Sequence, residues 1–155
     1  MKRLKVFYED WAWEMVKAHN SDAGFDLRTP YVFTIAPMSY WVVNTGIHIE
    51  IPKGYAGLIV SKSGLNVKHG IQSTGLIDSG YAGCIVVKLY NFSMDEYHFK
   101  AGDKITQLMI LPIFTGKIKK IKTLNVDTER GTNGFGSSGK WGRKKWNTQN
   151  TTQML

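Results

Sequence analysis

Cysteine is almost absent from this chain of 155 residues: Cys84 is the only one, so no disulfide can form within a single copy. Cys84 stands in an apolar, β-branched stretch, and we expect a packed core thiol rather than a nucleophile. No apolar run approaches the length of a membrane-spanning helix. The first residues also lack the long apolar region and the cleavage site of a signal peptide. We therefore expect a cytoplasmic protein, in the host cytoplasm if the source is viral.

Histidine is scarce and scattered, so the sequence predicts no metal cage built from His and Cys ligands. The four histidines are His19, His48, His69 and His98. Acidic residues are missing from the last sixteen positions, 140–155, which carry four of the charges in a formal net charge of +8. A basic chain attracts polyanions, so charge alone favours nucleotide phosphates or nucleic acid as partners.

Short strand patterns separated by turn residues dominate the sequence and favour an all-β sandwich or jelly roll. One helix is predicted over residues 10–19, and Asn66 begins a possible helical turn. A slip in the alternation near Gly46 interrupts the second strand pattern. The strands are predicted over residues 4–8, 41–51, 55–60, 84–92, 104–113 and 116–124. We expect one domain over 1–127, a flexible Gly- and Ser-rich arm over 128–139, and a basic tail of unknown role over 140–155.

Five short segments carry most of the residues that could perform chemistry. They cover residues 23–27, 61–65, 75–83, 102–108 and 130–139. In this order and spacing they resemble the five motifs of the trimeric dUTPases, and the resemblance extends from residue 23 to residue 139. It implies a jelly-roll-like homotrimer that hydrolyses dUTP to dUMP and pyrophosphate. It also implies active sites shared between subunits, with motif three from a second chain and the arm from a third.

The third segment forms a hairpin whose Gly- and Ser-rich turn carries Asp78 and Tyr81. Hydrolysis of a triphosphate needs an activated water, and Asp78 is the candidate catalytic base. By the resemblance, Asp78 holds that water in line with the α-phosphorus, and the Tyr81 ring leaves no room for a 2′-hydroxyl. The resemblance also assigns recognition of the uracil edge to the backbone of the hairpin. The residues concerned are Gln72, Gly75, Leu76, Ile77 and Val86.

The remaining segments are expected to bind the phosphates. Ser61 and Lys62 replace the Pro and Arg of the usual dUTPase pattern, so the charge remains while the bidentate fork is lost. Asp26 and Asp103 are expected in structural networks. The resemblance places Phe135 over the uracil and assigns phosphate contacts to Lys62, Ser63, Gly64, Gln107, Arg130, Gly136, Ser137 and Ser138. Mg²⁺ is expected to be carried by the triphosphate and its waters, with no direct protein ligand.

Two other functions remain open at this point. A dCTP deaminase shares the fold, but Lys88 stands where that family carries its catalytic Glu, which argues against deamination. A non-catalytic or regulatory binding protein of the same fold is the second alternative. The basic tail contains Trp141 and Trp146 and could stack on nucleic acid, but we expect only non-specific binding there.

Overall fold

The computed structural model describes residues 3–133 of the chain, which divides into two compact units, Met1–Gly116 and Lys117–Leu155. The described residues contain ten strands and one short helix, and every strand pairing is antiparallel. The elements are β1 (Lys5–Tyr8), β2 (Phe25–Arg28), β3 (Phe33–Ile35), β4 (Tyr40–Asn44), β5 (Ile47–Glu50), β6 (Tyr55–Val60), α1 (Ser63–His69), β7 (Ile71–Ile77), β8 (Val86–Asn91), β9 (Tyr97–Phe99) and β10 (Lys104–Pro112). No helix among the described residues is long and apolar enough to cross a membrane.

One six-stranded sheet organises the first unit, with the strand order β2-β10-β6-β7-β8-β4. Two short ribbons, β1 with β5 and β3 with β9, complete the strand pairing. The prediction of an all-β, jelly-roll-like fold is confirmed. Because β6, β7 and β8 are consecutive in the order, the hairpin that carries Asp78 lies near the middle of the sheet.

The core follows from the two-residue alternation of the strands. In β8, Val87, Leu89 and Asn91 point inward and are almost fully buried, while Val86 lies on the outer face. Burying one such aliphatic side chain stabilises the fold by about 1.5–3 kcal/mol. Asn91 is satisfied in this apolar setting because its amide donates to the carbonyl oxygens of residues 35 and 95, at 3.1 and 2.7 Å.

Two of the predicted elements are wrong. Residues 10–19 form turns and a single bridge instead of a helix, because Val16 exchanges backbone hydrogen bonds of 2.7 and 3.3 Å with Asp26. Those bonds occupy the groups that a helix would pair four residues along the chain. Residues 116–124 are exposed and form no strand, since no neighbouring strand pairs with them in the described part of the chain.

Other local expectations are confirmed. The helical turn near Asn66 is the helix α1, which ends at Gly70 in the left-handed conformation (φ 66°) typical of a helix C-terminus. The slip near Gly46 is a break between β4 and β5, where Gly46 has φ 68°. A side chain at Gly46 would also collide with Trp11 and Ala12, so the chain needs glycine there for two reasons.

Candidate active site

The hairpin of β7 and β8 is closed at one end and open at the other. The two strands pair at Ile71–Asn91, Gln72–Tyr90 and Ser73–Leu89, and the pairing stops there although β7 continues to Ile77. Beyond that point β7 pairs with β6, and β8 pairs with β4. The strands therefore diverge. A cavity of about 210 Å³ lies between them, lined by Leu76, Ile77, Asp78, Tyr81, Cys84, Ile85 and Val86.

A tight turn places Asp78 and Tyr81 together at the rim of this cavity. The amide of Tyr81 donates to the carbonyl oxygen of Asp78 at 3.2 Å, and Gly80 has φ 91°. Such a turn needs a residue that tolerates positive φ, which glycine does. Ser79 ties the turn to the body of the protein by donating to the carbonyl oxygen of Ile51 at 3.1 Å. Both Asp78 and Tyr81 are exposed, so a ligand in the cavity can reach their side chains.

The Tyr81 ring lies directly against the backbone of its own loop. Its hydroxyl donates to the carbonyl oxygen of Cys84 at 3.1 Å. A Cβ built on Gly83 would stand 2.3 Å from the Tyr81 hydroxyl oxygen, far inside any permitted contact. Gly83 is therefore needed for the ring to occupy this position.

The structure brings together most of the residues expected to recognise the base. Leu76, Ile77 and Val86 line the cavity with Asp78 and Tyr81, and Gly75 is their neighbour on β7. Gln72 does not line the cavity, because it is paired with Tyr90 in the closed part of the hairpin.

Sequence reasoning missed two residues of the lining, Cys84 and Ile85. The expectation of a packed core thiol at Cys84 is wrong: the side chain is half-buried, lines the cavity and hydrogen-bonds the Asn44 amide oxygen. The apolar pattern was misleading because β8 begins only at Val86, so strand alternation does not govern Cys84. The signal in the sequence was position: Cys84 comes only three residues after Tyr81, so it belongs to the same loop.

A second cluster joins segments one, two and four around Asp26. The Asp26 side chain is only 9% exposed, and it forms ion pairs with Lys62 through one oxygen and with Lys104, at 2.7 Å, through the other. Burial by itself raises the pKa of Asp26, but the hydrogen bonds and charges of Lys104 and Lys62 outweigh it and hold the pKa below its usual value. The expectation of a buried network residue is confirmed.

The other members of these segments are arranged next to the cluster. Gln107 donates to the carbonyl oxygen of Ser61 at 3.1 Å and packs so closely on Gly24 that a Cβ there would meet its amide oxygen at 2.8 Å. Ser63 and Gly64 open the helix α1 and are exposed. Asp103 has a structural role, since its carboxylate accepts the amide of Lys100 at 2.8 Å.

Within one chain the Asp26 cluster and the cavity are far apart. Ser61, next to Lys62, bonds the backbone of Ser73 through its hydroxyl, at 2.9 and 3.1 Å. Asp78 lies five residues after Ser73, directly beyond the end of β7, which is about 16 Å of extended chain. A single chain therefore does not bring Lys62 and Asp78 to one reacting centre.

The fifth segment is only partly described. Arg130 is exposed and donates through Nε to the carbonyl oxygen of Asn133 at 3.1 Å, in a turn where Gly131 has φ 53°. Phe135, Gly136, Ser137 and Ser138 lie outside the described residues, as does the basic tail.

Two further observations bear on the chemistry. Between residues 3 and 133, no three His, Cys, Asp or Glu side chains are grouped so that they could hold a metal ion. Lys88 lies on β8 with its ammonium over the rings of Tyr40, at 3.8 Å, and Tyr90, at 4.9 Å. The position of a deaminase glutamate is therefore filled by a cation in an aromatic setting.

Comparisons with known proteins agree with this geometry. A family model described as dUTPase matches residues 12–139. The mitochondrial deoxyuridine 5′-triphosphate nucleotidohydrolase of Homo sapiens is 44% identical over 119 residues, which cover 76% of this chain and 47% of that protein. The enzyme of the same name from Tropheryma whipplei strain Twist is 42% identical over 128 residues, covering 80% of this chain and 87% of the relative. The chain thus spans about half the length of the human relative and most of the bacterial one.

Among solved structures, the dUTPase of Staphylococcus bacteriophage 80alpha with dUpNHpp superposes with a TM-score of 0.83 at 28% identity. The match covers 90% of this chain and 99% of the phage chain.

The Asp26 ion pairs predict that the free energy of unfolding falls when the solution is made acidic. A carboxyl whose pKa is lowered in the folded state stabilises the fold at any pH above its pKa in the unfolded chain, near 3.8. That stabilisation is lost as the pH falls through the lower pKa of the folded state. Replacing Asp26→Asn should cost about 2 kcal/mol at pH 7, less than for a fully buried pair because both lysines are partly exposed.

Melting temperatures measured from pH 7 to pH 2 test this expectation. The gap between wild type and Asp26→Asn should narrow on acidification. Asp103→Asn is the matched control: the Asn amide oxygen can still accept the Lys100 amide, so this exposed position should melt in parallel with wild type. A gap that stays constant across the range would show that the charge of Asp26 is not what stabilises the fold.

Proposed function

The chain belongs to the dUTPase family, and from this membership we propose that it hydrolyses dUTP to dUMP and pyrophosphate. The observation that carries the proposal is the open end of the β7–β8 hairpin, with one carboxylate and one tyrosine at the rim of the cavity between the two strands. The curated relatives are named for this activity, and the phage 80alpha enzyme was solved with dUpNHpp, an analogue of the substrate.

Recognition of uracil is assigned to the diverging edges of β7 and β8. Neither edge is paired with the other beyond Ser73–Leu89, so their peptide groups remain available to a base inserted between them. A base with the wrong donor pattern would leave those groups desolvated and unpaired, at a cost of about 1–3 kcal/mol for each group. Leu76, Ile77 and Val86 supply the apolar walls.

Asp78 is assigned to orient a water molecule and accept its proton as the water attacks the α-phosphorus. The proton leaves the water for a carboxylate oxygen, the new bond forms from the water oxygen to phosphorus, and pyrophosphate leaves. Tyr81, on the same turn, lies against the sugar and excludes the 2′-hydroxyl of a ribonucleotide by steric overlap.

Lys62, Ser63, Gly64 and Gln107 are assigned to the phosphates. To contact a phosphate, Lys62 must give up its ion pair with Asp26 and pair with the phosphate instead. Lys104 stays on the second oxygen of Asp26, so the buried carboxylate keeps one partner during this exchange. Lys62 supplies charge without the two parallel hydrogen bonds of an arginine.

A shared site follows from the distance between the two clusters. Since one chain separates Lys62 from Asp78, we assign the phosphate residues of one subunit to the cavity of a second subunit in a homotrimer. The arm would come from the third, with Arg130 on the terminal phosphate, Phe135 over the base, and Gly136, Ser137 and Ser138 against the phosphates. Gly-rich backbone allows such a close approach.

Mg²⁺ is assigned to the triphosphate and its waters, its usual manner of binding in nucleotide sites. When bound, it neutralises phosphate charge. The lone carboxylate of Asp78 fits this arrangement, because a metal carried by the substrate needs few ligands from the protein. Within the described residues the chain contributes cations and hydrogen-bond donors at the phosphates, together with one base.

Asp78→Asn should lower kcat for dUTP by about 10²–10⁴-fold, because an amide cannot accept the proton of the attacking water. Binding of dUpNHpp should change little, since the substitution preserves size. Pyrophosphate release and calorimetric titration measure the two effects. Asp10→Asn, another exposed carboxylate, is the control and should behave as wild type. Turnover within a few-fold of wild type would remove Asp78 from the role of base.

Mixing two inactive variants tests the shared site. Asp78→Asn and Lys62→Ala each damage every site in a homotrimer. In mixed trimers formed at a one-to-one ratio, about a quarter of the sites would combine an intact Asp78 with an intact Lys62 from different chains. Activity should therefore reappear after the two proteins are unfolded and refolded together. If both groups came from the same chain, no mixture would recover activity, and light scattering would show whether a trimer is present.

Truncation tests the arm. Deletion from Arg130 onward should greatly lower the rate of dUTP hydrolysis, because it removes a charged phosphate contact together with the residues expected to close the site. Deletion from Lys140 onward keeps all five motifs and should leave activity nearly intact. Both proteins should melt like the full chain. Full activity after the deletion from Arg130 would show that the arm takes no part in hydrolysis. An equal loss of activity in both truncations would show that the basic tail, 140–155, is needed.

A further inference from the structure

We propose that His48 is a positioning residue for sugar selection, because it holds the loop that carries the Tyr81 ring. The proposal rests on the dUTPase reaction assigned above, in which Tyr81 excludes the 2′-hydroxyl. His48 lies on β5, outside the five motifs, and its imidazole is within 2.9 Å of the carbonyl oxygen of Ala82 through Nδ1. Ala82 is the residue directly after Tyr81.

The imidazole is fixed on its other side as well. Its Nε2 lies 3.3 Å from a carboxylate oxygen of Glu9. Glu9 is itself tied to the start of β5, since its amide donates to the carbonyl oxygen of Gly46 at 2.9 Å. The ring of Phe7 packs beside the imidazole with 5.6 Å between centroids. His48 therefore connects the β1–β5 ribbon to the middle of the active-site loop.

Packing alone does not fix the Tyr81 ring. Tyr81 lines the nucleotide cavity, and it also lines a second cavity of about 340 Å³ formed with the β1–β5 ribbon. A ring that borders open space in two directions has few neighbours to keep it in place. Steric rejection of a hydroxyl group requires a wall that does not move, so the position of Tyr81 depends on the hydrogen bonds of its loop.

Those hydrogen bonds are unevenly distributed along the loop. At its start, Ser79 is held by the carbonyl oxygen of Ile51, and at its end the amide of Ile85 donates to the carbonyl oxygen of Ile47 at 2.8 Å. Between these anchors Gly80 adopts φ 91°, and a Cβ there would meet no atom within 4 Å. In the described part of the chain, two hydrogen bonds join the loop to other elements between these anchors: the Cys84 thiol donates to the Asn44 amide oxygen, and His48 donates to the carbonyl oxygen of Ala82. Of these two, the bond from His48 holds the backbone directly after Tyr81.

The chemistry around His48 suits this role. The carbonyl oxygen of Ala82 is an acceptor, so Nδ1 carries the hydrogen in this contact. The other charged groups of the ribbon, Lys5 and Glu50, are occupied with each other at 3.1 Å. Glu50 therefore does not compete with Glu9 for the imidazole, and Lys5 does not compete with the imidazole for Glu9. The ring is thus oriented by Glu9 and delivers one donor to the loop.

The test compares His48→Ala with His48→Asn, because a short amide can replace Nδ1 as a donor whereas a methyl group cannot. For each protein, kcat/KM is measured with dUTP and with UTP. Loss of one hydrogen bond should raise the ratio of UTP to dUTP by about tenfold in His48→Ala, with kcat for dUTP changed little. His48→Asn should return the ratio to within a few-fold of wild type. Tyr81→Ala gives the UTP-to-dUTP ratio of kcat/KM that is expected when the Tyr81 ring is absent.

A matched control and a measurement independent of activity complete the experiment. His98 is also bonded on both ring nitrogens, to Thr34 at 2.6 Å and Glu96 at 3.1 Å, but it lies on β9 away from the loop. His98→Ala should leave the UTP-to-dUTP ratio unchanged. Hydrogen exchange of the Tyr81 amide, which donates to the carbonyl oxygen of Asp78 across the turn, should be faster in His48→Ala and restored in His48→Asn when it is measured without nucleotide.

The possible results separate the two proposals. An unchanged ratio in His48→Ala overturns the positioning role, whether or not exchange becomes faster. Unchanged exchange overturns the claim that His48 holds the loop. Absence of dUTP hydrolysis in the wild-type protein would refute the proposed function and, with it, the role in sugar selection, while the exchange measurement would still decide whether His48 holds the loop.

Discussion

The divergence of β7 and β8 is the constraint on which the rest of the site depends. Each strand has a second partner, β6 for β7 and β4 for β8, and these outer pairings continue past the point where the hairpin itself separates. The sheet therefore keeps its strands extended while it leaves two peptide edges unpaired with each other. A hairpin closed to its tip would have no space between its strands, and the turn with Asp78 would have no cavity to border.

Electrostatics impose a second constraint, on β2. A buried carboxylate needs compensation, and Asp26 receives it from two lysines rather than one. That duplication allows one lysine to act on a ligand without leaving the carboxylate unpaired. In the phosphate role proposed for Lys62, lysine also has a cost, because an ammonium offers a point charge where an arginine would offer a planar pair of donors.

The sequence predicted the fold class and the grouping of Asp78 with Tyr81, because strand alternation and glycine turns are local properties. It failed for residues 10–19, where a tertiary pairing between Val16 and Asp26 overrides a weak helical pattern. It failed for Cys84, since an apolar stretch does not show where a strand begins. Nothing local could reveal that the Asp26 cluster and the cavity lie at opposite ends of β7, or that His48 reaches across to Ala82. Both facts depend on the register of paired strands.

The contact between Gly83 and Tyr81 has a consequence for how this protein can vary. Any larger residue at position 83 would displace the ring by overlap with its hydroxyl, although the loop is exposed and contributes little to the core. Such a variant would fold and pass a screen for solubility or heat resistance. With Tyr81 in its proposed role, the defect would be weaker rejection of ribonucleotides, visible only when a ribonucleotide competes with the deoxyribonucleotide. Under the role proposed for Tyr81, a survey of tolerated substitutions that scores folding alone would therefore misjudge this position as neutral.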